Sequence, residues 1–470
     1  MRYIGIFFLL AFVSGVKAQE NPIWGEDNIL HVNDVLANLE KAYPIVLVAE
    51  NALSIAEYSI LEAQGAFDAQ WNVKTASNLT GYYRNNHVDT YVVKPTPLWG
   101  LEFFAGYRHG AGDFAVYDGK KDTLSGGEVR AGARVPVLRD RSIDKMRAEL
   151  SKAQIDKKLA LLNLERLRID VNRIAVQRYW RWLAAGLEYQ VADGLLMIAQ
   201  DRTLQIQQRV TLGDLPEIEN TDNDRAIRNR ESLTISARRK FEKASLDLAL
   251  LLRRPDGSMI VPGIDNLPDE IPTPNLPSIL INDEINTALR NRPELKEYVY
   301  KKDKTDLDKS IGENLLMPQI DLIIAGSQML GEGSNPRTSP EFSANVVVQV
   351  PIERNLPNGL IGQAESRKRQ LVFEEGFQRD KISIEVRDAW SAMKAAKETW
   401  LAQSAALILT RELETAERDR FDLGDSSMLF VNLREQQTAE AAVKEINARL
   451  YYHAAVADFN AARGTFTLAE

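Results

Sequence analysis

Two stretches of the chain keep a helical rhythm far longer than a typical globular helix. From about 139 to 212 there is no proline, and the only glycines are Gly186 and Gly194. Within it Ala160, Leu164, Leu167, Val171 and Ile174 are spaced 4, 3, 4, 3. From about 358 to 423 proline is again absent, and Val386, Ala389, Met393, Ala396 and Trp400 are spaced 3, 4, 3, 4. Apolar residues at that spacing form one stripe of an α-helix. Helices of roughly 65–70 residues would extend about 100 Å at 1.5 Å per residue. Stripes of that length imply a coiled coil or a helical assembly. Gly213 and Gly424 stop the two runs, as a glycine beyond a helix C-terminus does. Shorter helical patterns follow at about 216–252 and 426–462. Each long helix therefore turns back as a hairpin at a Leu-Gly-Asp.

Between the helices the period changes from 3.6 to two. Trp99, Leu101, Phe103, Ala105 and Tyr107 alternate with Gly100, Glu102, Phe104, Gly106 and Arg108. Val129, Ala131, Ala133 and Val135 alternate with Glu128, Arg130, Gly132 and Arg134. Phe342, Ala344, Val346, Val348 and Val350 alternate with Ser343, Asn345, Val347 and Gln349. Segments 71–79 and 320–324 carry a weaker form of the pattern. Strands of about ten residues, apolar on one face and charged on the other, suit a membrane barrel with a wet interior. An amphipathic sheet of a soluble domain gives the same alternation, and the coupling to such long helices favours the barrel. The alternation predicts two firm strands in each half, four in all. The smallest single-chain barrels have about 8 strands, and lipid cannot satisfy an open sheet edge. A four-stranded chain must therefore share its barrel with other chains.

The two halves also align with each other. Residues 38–73 line up with 287–322, placing Pro44 on Pro293 and Gln70 on Gln319. "ARVPVLRDR" (133–141) lines up with "VVQVPIERN" (347–355), and 209–214 with 420–425. The offset falls by about 34 residues between Gln70 and Pro136, so the first copy carries that many extra residues there. "GAGDFAVYDGKKDTLSGG" (110–127) reads as a loop, expected to fold over or into the barrel mouth. The expected organisation is a first repeat over 19–252, with strands at about 70–137 and a helical hairpin at 139–252. An irregular Pro- and Gly-punctuated connector follows over 253–280. A second repeat spans 281–463, with strands at about 319–352 and a hairpin at 358–462, and 464–470 is a tail.

The first eighteen residues stand apart. Arg2, an apolar run from Ile4 to Val13 and the small-residue end Val16-Lys17-Ala18 have the form of a secretory signal peptide, 1–18. The full chain has 58 Lys+Arg against 66 Asp+Glu; losing Arg2 and Lys17 takes the balance from −8 to 56 − 66 = −10. That acidity argues against nucleic acid as a partner. The absence of cysteine excludes a disulfide scaffold, a thiolate metal site, a Cys nucleophile and a lipidated N-terminal Cys. The four histidines, His31, His87, His109 and His453, are too scattered for a zinc site. There is no nucleophile elbow, phosphate loop or spaced set of metal ligands, so no catalytic residue, metal or cofactor is expected and the chain does not read as an enzyme.

With these features in place, the chain resembles the TolC-like outer-membrane efflux proteins, the outer channels of tripartite pumps and type I secretion systems. The resemblance rests on "ENLLMPQIDL" (313–322), "VPIERNLPNGLIGQAESRKRQ" (350–370), "RFDLGDSSMLFVNLREQQ" (420–437) and its echo "RVTLGDLPEIEN" (209–220). It covers essentially the whole mature chain. It implies an α+β membrane protein of the Gram-negative outer membrane. Three protomers would share a β-barrel, four strands each, continuous with a long periplasmic α-helical barrel. The implied partners are two further copies of the chain, a periplasmic membrane-fusion adaptor, an inner-membrane RND or ABC transporter, and outer-membrane lipid. The implied role is a passive exit duct; the alternative is a soluble periplasmic coiled-coil scaffold or adaptor. Cargo stays open among drugs, metals and a polypeptide, and eight unclustered methionines give copper export no positive support.

Carried over residue by residue, the resemblance makes Arg209, Leu212, Gly213, Arg420, Leu423 and Gly424 candidates for adaptor docking at the hairpin tips. Asp214, Glu217, Glu219, Asp222, Asp224 and Asp425 are candidates for acidic rings at the periplasmic aperture, since symmetry turns one carboxylate into a ring. Carboxylates at a helix start are also favourable for the helix itself. The chain departs from the family pattern at Phe430 and Leu433, where acids are common, and at Phe421, where a tyrosine is common.

Overall fold

The computed structural model describes residues 28–269, 271–272, 280–333 and 339–465. The expected signal peptide, parts of the connector and most of the tail lie outside the described residues. The chain folds as two compact units. One contains the chain up to Tyr43 with Ile174–Asn275 and Ala396–Ala454; the other contains Pro44–Arg173, Leu276–Ala395 and the chain from Ala455.

The leading helical segment of each half is two helices, α1 (Val32–Ala42) and α2 (Pro44–Gln64) in the first, α5 (Ile281–Asn291) and α6 (Pro293–Leu316) in the second. The break has one cause in both. Proline clashes with a helical conformation of the residue before it, and Tyr43 and Arg292 accordingly hold ψ near 120°. Proline then starts the next helix, where its missing N–H has no partner to lose. The long helices are α3 (Lys145–Thr211, 67 residues) and α7 (Asn355–Asp422, 68 residues). Their partners are α4 (Ile218–Ala249) and α8 (Met428–Ala462).

The strands are β1 (Gln70–Asn78), β2 (Asn85–Pro95), β3 (Glu102–Gly112), β4 (Glu128–Pro136), β5 (Gln319–Met329) and β6 (Glu341–Gln349). They form one antiparallel sheet in the order β1-β2-β3-β4-β5-β6. Among the described residues, six strands replace the four expected. The stretch expected to carry the extra residues holds the hairpin β2–β3, which takes the second and third places in the sheet, and only 113–127 of the expected loop is outside a strand. Nor do Trp99 to Leu101 belong to a strand. Trp99 and Gly100 have φ of 54° and 67°, and the Leu101 amide donates to Leu98 O at 3.0 Å, closing the tight turn between β2 and β3. Positive φ at both central residues suits the right-handed twist of a hairpin.

That turn is seated on the junction where β4 passes into α3. Asp140, itself at φ 66°, donates its amide to Asn314 Oδ1 at 2.8 Å and accepts from Asn314 Nδ2 at 2.8 Å. Arg147 donates to the Asp140 carbonyl and pairs with Asp144 at 2.8 Å. A Cβ at position 100 would lie 2.4 Å from the Asp140 carbonyl oxygen, so only glycine fits there. In the first unit the core is aromatic. Tyr179 donates to Leu30 O at 3.0 Å, Trp180 stacks on His453 with centroids 3.8 Å apart, and Trp400 stacks on Tyr452.

Candidate functional site

The two hairpin tips are built alike. At the first, Gly213 (φ 81°) donates to Val210 O at 3.0 Å and Asp214 donates to Arg209 O at 2.8 Å. At the second, Gly424 (φ 82°) donates to Phe421 O at 3.1 Å and Asp425 to Arg420 O at 2.9 Å. These paired bonds satisfy the last carbonyls of α3 and α7 through a left-handed residue, a conformation that costs glycine nothing. The geometry leaves Leu212 and Leu423 pointing into solvent, 76% and 80% exposed. A helix cap alone gives a leucine no reason to sit there.

The structure brings the tips together. Ile206 of α3, Phe421 of α7 and Met428 and Val431 of α8 form one apolar cluster, with Val210 and Leu215 against it. The Arg209 guanidinium lies 5.1 Å from the centre of the Phe421 ring. Phe421 thus fills a packed position in this cluster. Arg420 donates to the Asp425 carbonyl at 3.2 Å and pairs with Glu417.

The acidic candidates divide. Asp214, Glu217, Asp224 and Asp425 are exposed, whereas Glu219 and Asp222 are half-buried. Asp222 pairs with Arg225 at 2.7 Å and accepts a long hydrogen bond from Asn432. Partial burial, with the Asp222 charge adding to it, pushes the Glu219 carboxyl up from its ordinary value. Phe430 and Leu433 are exposed, on a helix face that carries no acid at these positions.

A group that the linear pattern does not flag lies just behind the tips. Glu435 of α8, its side chain about 1% exposed, receives three arginines from three different helices. Arg230 of α4 meets it at 2.9 Å, Arg418 of α7 at 3.0 Å, and Arg202 of α3 closer still. Burial pushes the Glu435 carboxyl up, but hydrogen bonds and charge from Arg202 and Arg230 outweigh it and hold the carboxyl below its ordinary value. The only trace in the sequence is an acid on the stripe Met428, Val431, Glu435, spaced three and four. Four helices supply one residue each, so no local motif exists to find.

The sheet has two chemically distinct faces, because strand residues alternate across it. One carries Lys74, Asp89, Tyr91, Arg108, Glu128, Arg130, Arg134 and Asp321, which fall on the same face in the registers of consecutive pairs. Arg108 bridges Asp89 at 3.1 Å and Glu128 at 3.7 Å, and Arg130 also reaches Asp89. Lys74 and Arg130 lie 5.5 and 5.6 Å from the Tyr91 ring centre. The other face carries Trp71, Val73, Val88, Val92, Phe103, Val129, Ile324, Phe342, Val346 and Val348, all at least 40% exposed in the chain. The apolar face is therefore uncovered within the chain.

No family model matches the chain, and no curated protein matches it in sequence. Solved structures do match it in fold. CusC superposes with a TM-score of 0.65 at 14% identity, covering 92% of each chain, and is described in terms of folding and transmembrane channel formation. The open-state MtrE outer-membrane channel of Neisseria gonorrhoeae superposes at 0.65 with 13% identity, covering 92% of this chain and 89% of that one. The CmeC outer-membrane channel of Campylobacter jejuni superposes at 0.63 with 14% identity, covering 92% and 85%. The fold is that of TolC-like outer-membrane channels.

Proposed function

We propose that this protein is an outer-membrane exit duct, a homotrimer that passes cargo out of the periplasm without chemistry of its own. The observation that carries the reading is the sheet. It exposes an apolar face over strands of 9–11 residues, the length that crosses a bilayer, and keeps its ion pairs on the other face. Such a sheet is stable where lipid covers one side and water the other. The shared fold with outer-membrane channels supports the same placement, and so does the order of elements, helix pair, strands, long helix and shorter helix, on both sides of the connector. A soluble scaffold would have to cover these valines and aromatics with protein.

The hairpin tips would meet a periplasmic adaptor, and an inner-membrane transporter would supply the energy. Exposed Leu212 and Leu423 on capped, cluster-packed turns are suited to docking between hairpin tips of a partner. The exposed carboxylates Asp214, Glu217, Asp224 and Asp425 would repeat around the three-fold axis at the aperture. The reading is tested by membrane fractionation and planar-bilayer recording of the purified protein. The expected result is retention with outer membranes, a trimer in detergent and discrete conductance steps; extraction as a monomer without detergent overturns it. For the tips, Leu423→Arg should abolish capture of the adaptor while the trimer is retained, since the side chain makes no packing contribution.

A further inference from the structure

We infer that the hairpin β2–β3 is a lipid-facing part of the barrel wall, so that three copies close about one and a half times the strand number that four-stranded protomers would give. The inference rests on the trimeric duct proposed above and adds a feature the sequence pattern did not supply. A hairpin added to such a chain has two places to go. It can leave the wall and fill the lumen or cap its mouth, or it can be inserted as two more staves.

Three independent observations favour insertion. First, β2 and β3 are interior strands. β2 is registered on β1 from Asn78↔Asn85 to Gln70↔Val93, and β3 on β4 from Glu102↔Arg134 to Arg108↔Glu128. Moving the hairpin inward would break both ladders and expose two more edges to lipid. Second, its alternation is in phase with the rest of the sheet. Val88, Val92, Phe103 and Ala105 fall on the apolar face, while Asp89, Tyr91, Glu102 and Arg108 fall on the charged one. A plug surrounded by water has no use for an exposed apolar face, and Lys94, opposite Phe103 near the helix-side end, is placed to extend its amine toward the interface. Third, the ion pairs run through the hairpin. Asp89 of β2 is shared by Arg108 of β3 and Arg130 of β4. This stitches the inserted strands to a strand that four-stranded protomers would also have. On the apolar side Trp71 Nε1 donates to Thr90 Oγ1 at 2.6 Å, fastening β1 to β2.

Three copies of a six-stranded sheet make eighteen strands. Barrel diameter grows roughly linearly with strand number, and walls of about 16–18 strands enclose an open aqueous channel. The strand region would then enclose a water-filled channel and not an interior filled by side chains.

The test uses the full-length protein reconstituted in phospholipid vesicles, which the absence of cysteine makes clean. Single variants Val88→Cys and Phe103→Cys report the apolar face of the hairpin, and His87→Cys reports the charged face. Spin labels are read by accessibility to dissolved oxygen, which partitions into lipid, and to a water-soluble nickel chelate. At 88 and 103 oxygen should exceed the chelate several-fold, with the reverse at 87. A density map of the unmodified trimer should show six strands from each copy. Chelate-accessible labels at 88 and 103 in an intact membrane trimer, or a map with four strands per copy, would overturn the insertion alone. A protein that forms no membrane trimer would overturn the underlying duct as well.

Discussion

At the scale of single residues, the most consequential group is a carboxylate that no acidic aperture requires. Glu435 is shared by three arginines behind the tips, each from a different helix, and Arg418 among them also pairs with Glu414 at 2.8 Å. Removing one partner of a buried pair leaves the rest uncompensated, at a cost of about 3–5 kcal/mol. Glu435→Gln should therefore loosen the hairpin tips by about 3 kcal/mol, read as faster amide exchange at 202–215 and 418–435 with the sheet unchanged. The sign of the pH effect follows from the lowered carboxyl. Its contribution is complete above the ordinary glutamate value, about 4.3, and is lost as pH falls through the lower folded value. His453 acts over a higher window. Burial against Trp180 lowers its pKa to about 4, although its Nε2–H donates to Pro272 O at 2.8 Å. Between about 6.5 and 4 the unfolded chain takes the proton first, so stability falls as pH drops, by about 3 kcal/mol over the window. The variant His453→Gln should flatten the dependence of melting temperature on pH between 6.5 and 4. An unchanged slope would show that another group titrates there.

At the scale of elements, the helices were readable and the sheet was only partly so. A stripe repeated over more than sixty residues averages out local exceptions, and a glycine at a helix end states its own conformation. The stops at Gly213 and Gly424 are therefore where the sequence puts them. The alternation does not reveal strand β2, because its apolar face is only Val88, Thr90 and Val92, and because Asp89 and Lys94 read as loop residues when the register is unknown. Those charges make sense only beside Arg108 and Phe103 on the next strand. The turn that sets this register reads as strand by residue type, since Trp99 and Leu101 continue the alternation, while Trp99 holds a positive φ. Its neighbour gives a sharp test. Gly100→Ala places a methyl 2.4 Å from the Asp140 carbonyl in a backbone conformation that already costs an alanine about 1–2 kcal/mol. The trimer should form with a melting temperature several degrees lower, and Gly81→Ala, also at positive φ but with open space around it, should show the smaller loss.

At the scale of the whole molecule, the sheet of the described residues ends in two unpaired edges, β1 and β6, within the chain. A row of free amides and carbonyls facing lipid is not tolerated, so in the proposed duct the β1 edge of each copy must meet the β6 edge of another. The chain fixes the relation between them. β1 begins as the chain leaves the helices and β6 ends as it returns to them, so Gln70 and Gln349 lie at the same end and the strands meet antiparallel. Pairing those two residues sets Val73 opposite Val346, and both belong to the apolar face, as continuity of the wall requires. A shift by one residue would put valine opposite the charged side, which the two-faced solvent forbids. Opposed side chains in such a pair have Cβ atoms about 4.5–5.5 Å apart, close enough for a disulfide after small adjustment. With no native cysteine to compete, the double variant Val73→Cys, Val346→Cys should oxidise to covalent trimers in the membrane, and Lys74→Cys with Val346→Cys, on opposite faces, should not. Efficient cross-linking by the second pair, or none by the first and by its neighbours two residues along, would mean that the edges are closed by something other than another copy of this chain.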